Sequence, residues 1–302
     1  MAHPTDNQRR RRKLIRGLYT GASGMVAQMY RMDALANNIA NVDTTGYKND
    51  IAVEKAYPEM LLRRMNDNGV RTIPLSGTPP RLGSFDVAPV IGKLGTGVEL
   101  NELYTDFAQG ALKQTQNPFD LALQGKGFFV VQTPYGNRLT RDGGFVLGPE
   151  GLLVSKDGYP VLGEKGPIHI KLNNFVVDQD GKVFVNERFQ PDPKRLVSNQ
   201  ENQWDKTVEI DRLKLVNVQF PRYLKKVGNN MYVDTRQSGQ ANIAARAERP
   251  TVHQGFLEGS NVNPVTAMVD MIEVNRAYEA NQKVIQAEDA STGLLLNSVI
   301  KV

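Results

Sequence analysis

The 302-residue chain contains no cysteine and three histidines. The absence of cysteine excludes disulfides, thiolate metal sites and cysteine nucleophiles. The histidines, His3, His169 and His253, form no pair at the i, i+3 or i+4 spacing that helical metal sites use. Residues 21–24 (GASG) lack the G-x-S-x-G spacing of a nucleophile elbow. We therefore predict no catalytic residue, no cofactor and no metal site, and we do not expect an enzyme.

Long apolar runs are absent as well. No stretch of about 18 apolar residues occurs, so the sequence predicts no transmembrane helix. The basic residues near the N-terminus are similar to the charged start of a signal peptide. However, Arg16-Gly17 interrupts the apolar residues that follow them, so no cleaved signal peptide is expected.

The net charge of +5 is confined to the first 16 residues. They contain six Arg and Lys residues against Asp6, so the rest of the chain is formally neutral. A nucleic-acid-binding body would present a basic face, so we expect no nucleic acid partner. We predict that residues 1–16 form a basic disordered tail. The alternative is an adaptor whose tail binds nucleic acid or an anionic membrane.

Two segments with a helical period lie at opposite ends of the chain. Near the N-terminus, apolar residues follow one another at alternating spacings of 3 and 4, which is typical of a heptad repeat; they are Ile15, Leu18, Ala22, Met25, Met29, Met32, Ala36 and Ile39. A second heptad line occupies the C-terminal end: Ala267, Met271, Val274, Tyr278, Asn281, Ile285, Glu288, Thr292, Leu295 and Val299. The polar members of this second line favour selection of register and partner.

The segment between the helices has a different character. Residues 50–97 are rich in proline and glycine and predict an extended linker with short strands. Residues 98–250 contain β-rich runs, and Asp-Gly at 142–143, 157–158 and 180–181 predicts hairpin turns with glycine at positive φ. The predicted fold class is α+β: heptad helices in residues 17–49 and 251–302 pack as a coiled coil around a central, mostly antiparallel β domain. The alternative is an ordinary α+β domain whose terminal helices pack on its own sheet.

The first helix ends in an asparagine-rich segment. Asparagine caps the carbonyls at a helix end, which accounts for residues 41–46. Three asparagines within five residues exceed the need of one cap, so we interpret them as contacts to a neighbouring subunit. The candidate subunit-interface residues combine these asparagines with members of the two heptad lines: Leu18, Met25, Met29, Met32, Asn37, Asn38, Ile39, Asn41, Met271, Tyr278, Asn281, Ile285 and Leu295.

Three groups of motifs resemble the flagellar rod and hook family. The N-terminal group is LYTGASGM at 18–25, ANNIANV at 36–42 and TGYK at 45–48. The central group is NPFDLAL at 117–123, GFF at 127–129 and TRDG at 140–143. The C-terminal group is QGFLEGSNVNPV at 254–265, MI at 271–272 and RAYE at 276–279. The motifs keep the family's order from about residue 16 to 302, so the chain is identified as a member.

The resemblance implies a structural subunit of the bacterial flagellar basal-body rod. Such a subunit polymerises through its terminal helices into the periplasmic drive shaft that transmits torque to the hook. The chain is most similar to the proximal rod protein (F type) of spirochaetes; a distal rod protein (G type) or a hook-type subunit is the alternative. The implied partners are further copies, other rod and hook subunits and the flagellar type III export apparatus. Residues 1–15 have no counterpart in the family. The segment 51–90 is longer and richer in proline than the family minimum.

Overall fold

The structure is a computed structural model that describes residues 6–63, 71–75, 81–85, 90–170, 175–186, 207–245 and 248–300. Residues 1–5 of the predicted tail lie outside the described residues. Residues 6–16 are predicted to belong to the same disordered tail, but they form the first part of a helix. The long N-terminal helix therefore begins before the predicted heptad line.

Two helices of similar length lie at the two ends of the chain. Helix α1 spans Asp6–Ala40 and helix α2 spans Pro264–Ile300. Between them, the described residues form strands β1 to β21: β1 Asp50–Ala56, β2 Met60–Arg63, β3 Arg71–Leu75, β4 Arg81–Phe85, β5 Val90–Leu94, β6 Val98–Thr105, β7 Leu112–Gln114, β8 Leu121–Gln124, β9 Phe128–Thr133, β10 Gly136–Thr140, β11 Phe145–Leu147, β12 Leu153–Ser155, β13 Phe175–Val177, β14 Lys182–Asn186, β15 Thr207–Arg212, β16 Leu215–Asn217, β17 Lys225–Gly228, β18 Met231–Val233, β19 Asn242–Ile243, β20 Thr251–Gln254 and β21 Phe256–Glu258. Short 3-10 helices cover Pro149–Gly151 and Pro221–Tyr223.

The chain divides into two compact units. The first, which we call the helical unit, comprises Met1–Asp33, Ala52–Glu102 and Ile272–Val302. The second, the β unit, comprises Ala34–Ile51 and Leu103–Met271. The segment predicted as an extended linker contributes β1, which pairs with β6, and two antiparallel strand pairs, β2 with β5 and β3 with β4.

The β unit is built on a six-stranded antiparallel sheet with the strand order β17-β18-β10-β9-β16-β19. Successive side chains of a strand point to opposite faces. On β9, Phe129 and Val131 therefore join one apolar cluster, whereas Phe128 and Val130 join the other. Burial on both faces explains why this strand has a continuous apolar sequence and no alternation. The predicted α+β class with a mostly antiparallel sheet is confirmed, and coiled-coil packing of the helices stays a prediction.

The Asp-Gly dipeptides do not all act in the same way. Gly158 and Gly181 have positive φ angles of 84° and 77°, as predicted for hairpin turns. The prediction is wrong for Gly143, whose φ is not positive. A Cβ atom at Gly143 would collide with the carbonyl oxygen of Leu121. Glycine is required there by close backbone approach and not by turn geometry.

Candidate assembly surface

Helices α1 and α2 meet in the helical unit along a line of glycines. Three glycines of α1 face three side chains of α2 in antiparallel order; the pairs are Gly17 with Glu288, Gly21 with Ile285 and Gly24 with Asn281. A Cβ atom on Gly21 would lie 3.1 Å from Cγ1 of Ile285, and one on Gly24 would lie 2.9 Å from Nδ2 of Asn281. Because these distances are shorter than ordinary van der Waals contact, the helices approach this closely only where α1 has no side chain.

The glycine line lies one residue away from the heptad line predicted on α1. Of the predicted interface residues, Leu18 and Met29 are exposed, and Met25 and Met32 are half-buried. The contact with α2 therefore leaves much of the predicted apolar line uncovered. The apolar pattern of α1 does not indicate this contact, because glycine has no side chain that would contribute to the pattern.

The predicted interface residues on α2 follow its partly covered side. Met271, Tyr278, Asn281, Ile285 and Leu295 are all half-buried. Two of them, Asn281 and Ile285, face the glycine line inside the chain. These two side chains therefore already have an intramolecular role in bringing the helices together.

Two of the exposed apolar surfaces formed by the described residues involve the terminal helices. The first, which we call the tyrosine groove, is a depression of about 600 Å³ in the helical unit, whose lining includes Tyr19, Val26, Tyr30, Tyr57, Glu99 and Leu100. The second, which we call the α2 stripe, consists of Val265, Met268, Val269 and Ile272, and each of these side chains is more than half exposed. Contiguous exposed apolar side chains of this kind mark interaction sites on soluble proteins.

The asparagine-rich segment has a largely intramolecular role. Asn38 is 1% exposed. Its Nδ2 donates to the backbone oxygen of Asp50 at 2.8 Å, and its Oδ1 accepts from the Asp50 backbone N–H at 2.9 Å and from the Tyr47 hydroxyl at 3.0 Å. Asn38 thus joins the end of α1 to the start of β1, and a side chain buried in this way is not available to a neighbouring subunit.

The other asparagines and Ile39 complete the helix end. Nδ2 of Asn41 donates to the backbone oxygen and to Oδ1 of Asn37, both at 2.8 Å, and Oδ1 of Asn41 accepts from Thr44. The backbone oxygen of Asn37 also accepts from the Asn41 backbone N–H at 3.2 Å, so Asn41 gives this carbonyl at the helix end two donors. Ile39 packs against a small apolar cluster of Tyr47, Val262 and Ala267. Asn37 itself is exposed.

Three buried charged side chains, which we call the motif triad, meet inside the β unit. Glu258 lies between Lys48 and Arg141: Lys48 Nζ is 2.6 Å from Oε1, and Arg141 Nη1 is 3.3 Å from Oε2. The Gly110 backbone N–H also donates to Oε1 at 3.0 Å. Lys48 Nζ also donates to the backbone oxygen of Ala108, and Arg141 Nη2 donates to that of Gly125. Nε of Arg141 is buried and has no hydrogen-bond partner among the described residues. Burial lowers the pKa of Lys48 and that of Arg141, and attraction to Glu258 opposes this shift.

A second charged group surrounds the start of β1. Lys226 Nζ lies 2.8 Å from Oδ2 of Asp50 and 4.0 Å from the centre of the Tyr47 ring. Oδ1 of Asp50 accepts from the Thr105 hydroxyl at 2.7 Å. Burial raises the pKa of Tyr47 well above its ordinary value, and the charge of Asp50 adds to this shift. The aromatic ring, the carboxylate and the ammonium group together hold the segment that follows α1.

Sequence reasoning missed the motif triad. Its members are separated by up to 210 residues along the chain, and nothing in their local pattern pairs them. A signal was nevertheless present, because each of the three lies inside a motif: Lys48 in TGYK, Arg141 in TRDG and Glu258 in QGFLEGSNVNPV. A charged residue within an otherwise apolar and glycine-rich motif is a candidate for a buried ion pair.

In the part of the chain that the structure describes, no three histidine or acidic side chains gather as metal ligands. Within the same residues, neither helix has the length and apolar character that a bilayer crossing requires.

Three family models match separate segments of the chain. They are the flagella basal body rod protein model at residues 18–48, the flagellar hook protein FlgE/F/G D1 domain model at residues 122–185, and the flagellar basal body rod FlgEFG protein C-terminal model at residues 253–297. Lys48, Arg141 and Glu258 come one from each segment. The motif triad therefore connects all three segments that the family models match.

Whole-length relatives agree with these matches. The flagellar hook-basal body complex protein FlhO of Bacillus subtilis is 33% identical, over 96% of this chain and 100% of its own length. The flagellar basal-body rod protein FlgG of Borreliella burgdorferi is 31% identical, over 94% and 98% of the two chains. The rod protein FlgF of Caulobacter vibrioides is 32% identical, over 89% and 91%. The chain therefore belongs to the family of flagellar basal-body rod proteins.

Proposed function

We propose that the chain is a structural subunit of the flagellar basal-body rod, with no catalytic activity, and that it polymerises through its terminal helices. The subunit would assemble in the periplasm with further copies and with other rod and hook subunits, and would transmit torque to the hook. Rod proteins of both the F and the G type are among its relatives. The proximal, F-type position stays a prediction, which tomography of basal bodies in a deletion strain would test.

The observation that carries this proposal is the uncovered apolar surface on both terminal helices. Leu18, Met29 and the tyrosine groove lie exposed on the α1 side, and the α2 stripe lies exposed on the other helix. A monomer that remained single in water would leave these side chains solvated at a cost in free energy. Burial against neighbouring subunits removes this cost, and many small contacts repeated along a helical lattice produce a stiff shaft.

A substitution at Met29 tests polymerisation. Met29 is 45% exposed, so Met29→Asp should leave the chain folded while placing a charge in the proposed interface. We expect the variant to remain soluble in sedimentation assays and to fail to restore rods in a deletion strain. Val227→Asp is the matched control, because Val227 is 50% exposed in the edge strand β17 and belongs to neither helix. If Met29→Asp assembles into rods as well as the control does, the heptad line of α1 has no role in polymerisation.

Deleting residues 1–13 separates the rod subunit from the adaptor alternative. A rod subunit without the basic residues at 9–13 should still restore rods and motility in the deletion strain. An adaptor that works through this tail should lose its partner. The same strain tests export, since a subunit that uses the flagellar type III apparatus should accumulate in the cytoplasm when that apparatus is disabled.

A further inference from the structure

Among the described residues that line the tyrosine groove, one is acidic. Val26 and Tyr30 form its α1 side, Tyr57 and Leu100 come from the strand region, and Glu99 completes the lining with its carboxylate. Among the described residues, Glu99 makes no ion pair and no hydrogen bond through its side chain. Tyrosine at the rim of a depression combines a large apolar surface with a polar hydroxyl, which is typical of interface residues.

The α2 stripe has the apolar character and the charge that such a groove would bind. Val265, Met268 and Ile272 follow one another at spacings of 3 and 4 and so share one face of the helix. Arg276 lies on the same face, because eleven residues at 3.6 per turn return to within about 20° of Val265. Arg276 is exposed, and it has no acidic partner within the described parts of the chain. The stripe is thus an apolar face about two turns long that ends in a cation.

We propose that the α2 stripe of one copy docks into the tyrosine groove of the next copy, with Arg276 of the first opposite Glu99 of the second. This inference rests on the proposed function and names the surfaces that carry it. Both surfaces are apolar, and Glu99 and Arg276, which form no ion pair with a described residue, are opposite in charge. A single kind of contact between two copies of the chain would therefore cover both surfaces.

The symmetry of this contact accounts for growth into a shaft. The groove and the stripe are different surfaces, so their pairing is heterologous, and the copy at each end keeps one free groove or one free stripe. Contacts of this type generate open helical assemblies when the rotation between copies does not close a ring. A contact two helical turns long is small beside stable dimer interfaces, which bury about 1,200–2,000 Å². We therefore expect it to be populated in the assembly and sparse in dilute monomer.

The absence of native cysteine makes disulfide trapping a direct test. A tagged chain with Val26→Cys in the groove is mixed with an untagged chain carrying Met268→Cys in the stripe, and the mixture is oxidised under assembly conditions. We expect the tagged–untagged heterodimer to exceed by about tenfold the amount formed when Met268→Cys is mixed with Tyr135→Cys. Tyr135 is 86% exposed in the turn between β9 and β10, so the control thiol is accessible. Equal yields from the two mixtures would overturn the pairing.

Charge reversal tests the register. Glu99→Arg and Arg276→Glu should each raise the critical concentration for assembly by about tenfold, because like charges then face each other. The double variant should return to within about twofold of the unmodified chain, since it restores an opposite pair. Additive loss in the double variant would refute the Glu99–Arg276 contact. Circular dichroism of each variant verifies that the chain is folded.

The outcomes separate the two levels of the proposal. If the unmodified chain assembles and restores rods but the groove and stripe thiols do not cross-link selectively, the rod function stands and the pairing fails. If the unmodified chain neither assembles nor restores rods in the deletion strain, the proposed function fails as well.

Discussion

Glu258 lies between two buried cations, and its replacement by glutamine tests whether the motif triad holds the β unit together. The side chains of Lys48 and Glu258 are fully buried and that of Arg141 is 3% exposed. Glutamine has nearly the same shape as glutamate but no charge, and its amide nitrogen adds a donor beside at least one cation. The ammonium group of Lys48 and the guanidinium group of Arg141 would then remain buried without a counter-ion.

The expected cost follows from the burial of the partners. Removing one member of a buried ion pair costs about 3–5 kcal/mol, because the remaining charge has lost its water and gains no substitute. Here one carboxylate serves two cations, so we expect Glu258→Gln to fall at the upper part of this range. Whole domains have stabilities of about 5–15 kcal/mol, so this loss would be a large fraction of the total.

Native-state hydrogen exchange measures the effect within the β unit alone. Protection of amides in β8 and β9 should fall by about 700- to 4,000-fold, since the expected loss is about 4–5 kcal/mol and 1.4 kcal/mol corresponds to a factor of ten. Glu209→Gln is the matched control: Glu209 pairs with Lys182 at 2.9 Å on the surface, and its loss should leave protection unchanged.

A second variant identifies charge as the cause. Lys48→Met removes a cation and leaves Arg141 paired with Glu258, so the buried group becomes neutral. It should therefore cost less than Glu258→Gln, although both remove the same 2.6 Å contact. If Lys48→Met is equally destabilising, packing and not charge balance determines the stability of the triad, and the charge-balance explanation is refuted.

Three further predictions concern alkaline stability, helix packing and the helix end. Burial raises the pKa values of Tyr47 and Tyr232, so above pH of about 10 the unfolded chain releases protons that the folded chain keeps. Their contribution to stability is thus complete below that pH and falls above it by about 1.4 kcal/mol per pH unit for each tyrosine. Denaturant titrations at several pH values should show that the free energy of unfolding falls less steeply with pH once either tyrosine is replaced by Phe. Gly21→Leu should destabilise the contact of α1 with α2 by about 1–3 kcal/mol, seen as faster exchange in α2 peptides, whereas Gly293→Leu should not, because a Cβ there has open space. Asn38→Ala should cost at least about 2 kcal/mol, because it leaves buried backbone groups unpaired; an unchanged urea midpoint would contradict this assignment.

The local order of the chain was predictable where a pattern reports it directly. The apolar run of β9 and the periods of the two terminal helices indicated their secondary structure, because side-chain spacing follows backbone geometry. Gly181 was predictable as a turn residue for the same local reason. Gly143 was not, because glycine is required there by the close approach of Leu121, a residue of strand β8 that lies 22 positions earlier in the chain.

The heptad line on α1 predicted the apolar surface of the helix but not its contact with α2. It marked Leu18 and Met29 as apolar members of an amphipathic helix, and they lie on its surface. It did not indicate that Gly21 faces Ile285, since a period reports which side chains are apolar and not how close two backbones come. Likewise, Asn38 carries the same side chain as Asn37, but only its position against Asp50 makes it a buried connector.

The sequence by itself determined that this chain has a helix at each end, a β-rich centre, no cysteine chemistry and the motifs of a flagellar axial protein. Each of these features can be predicted from composition, from residue spacing or from motifs that are contiguous in the sequence. The tertiary structure alone decided that Lys48, Arg141 and Glu258 form one buried group, and that the tyrosine groove and the α2 stripe stay uncovered. Ion pairing and exposure depend on distances between residues far apart in sequence, and the chain acquires those distances only when it folds.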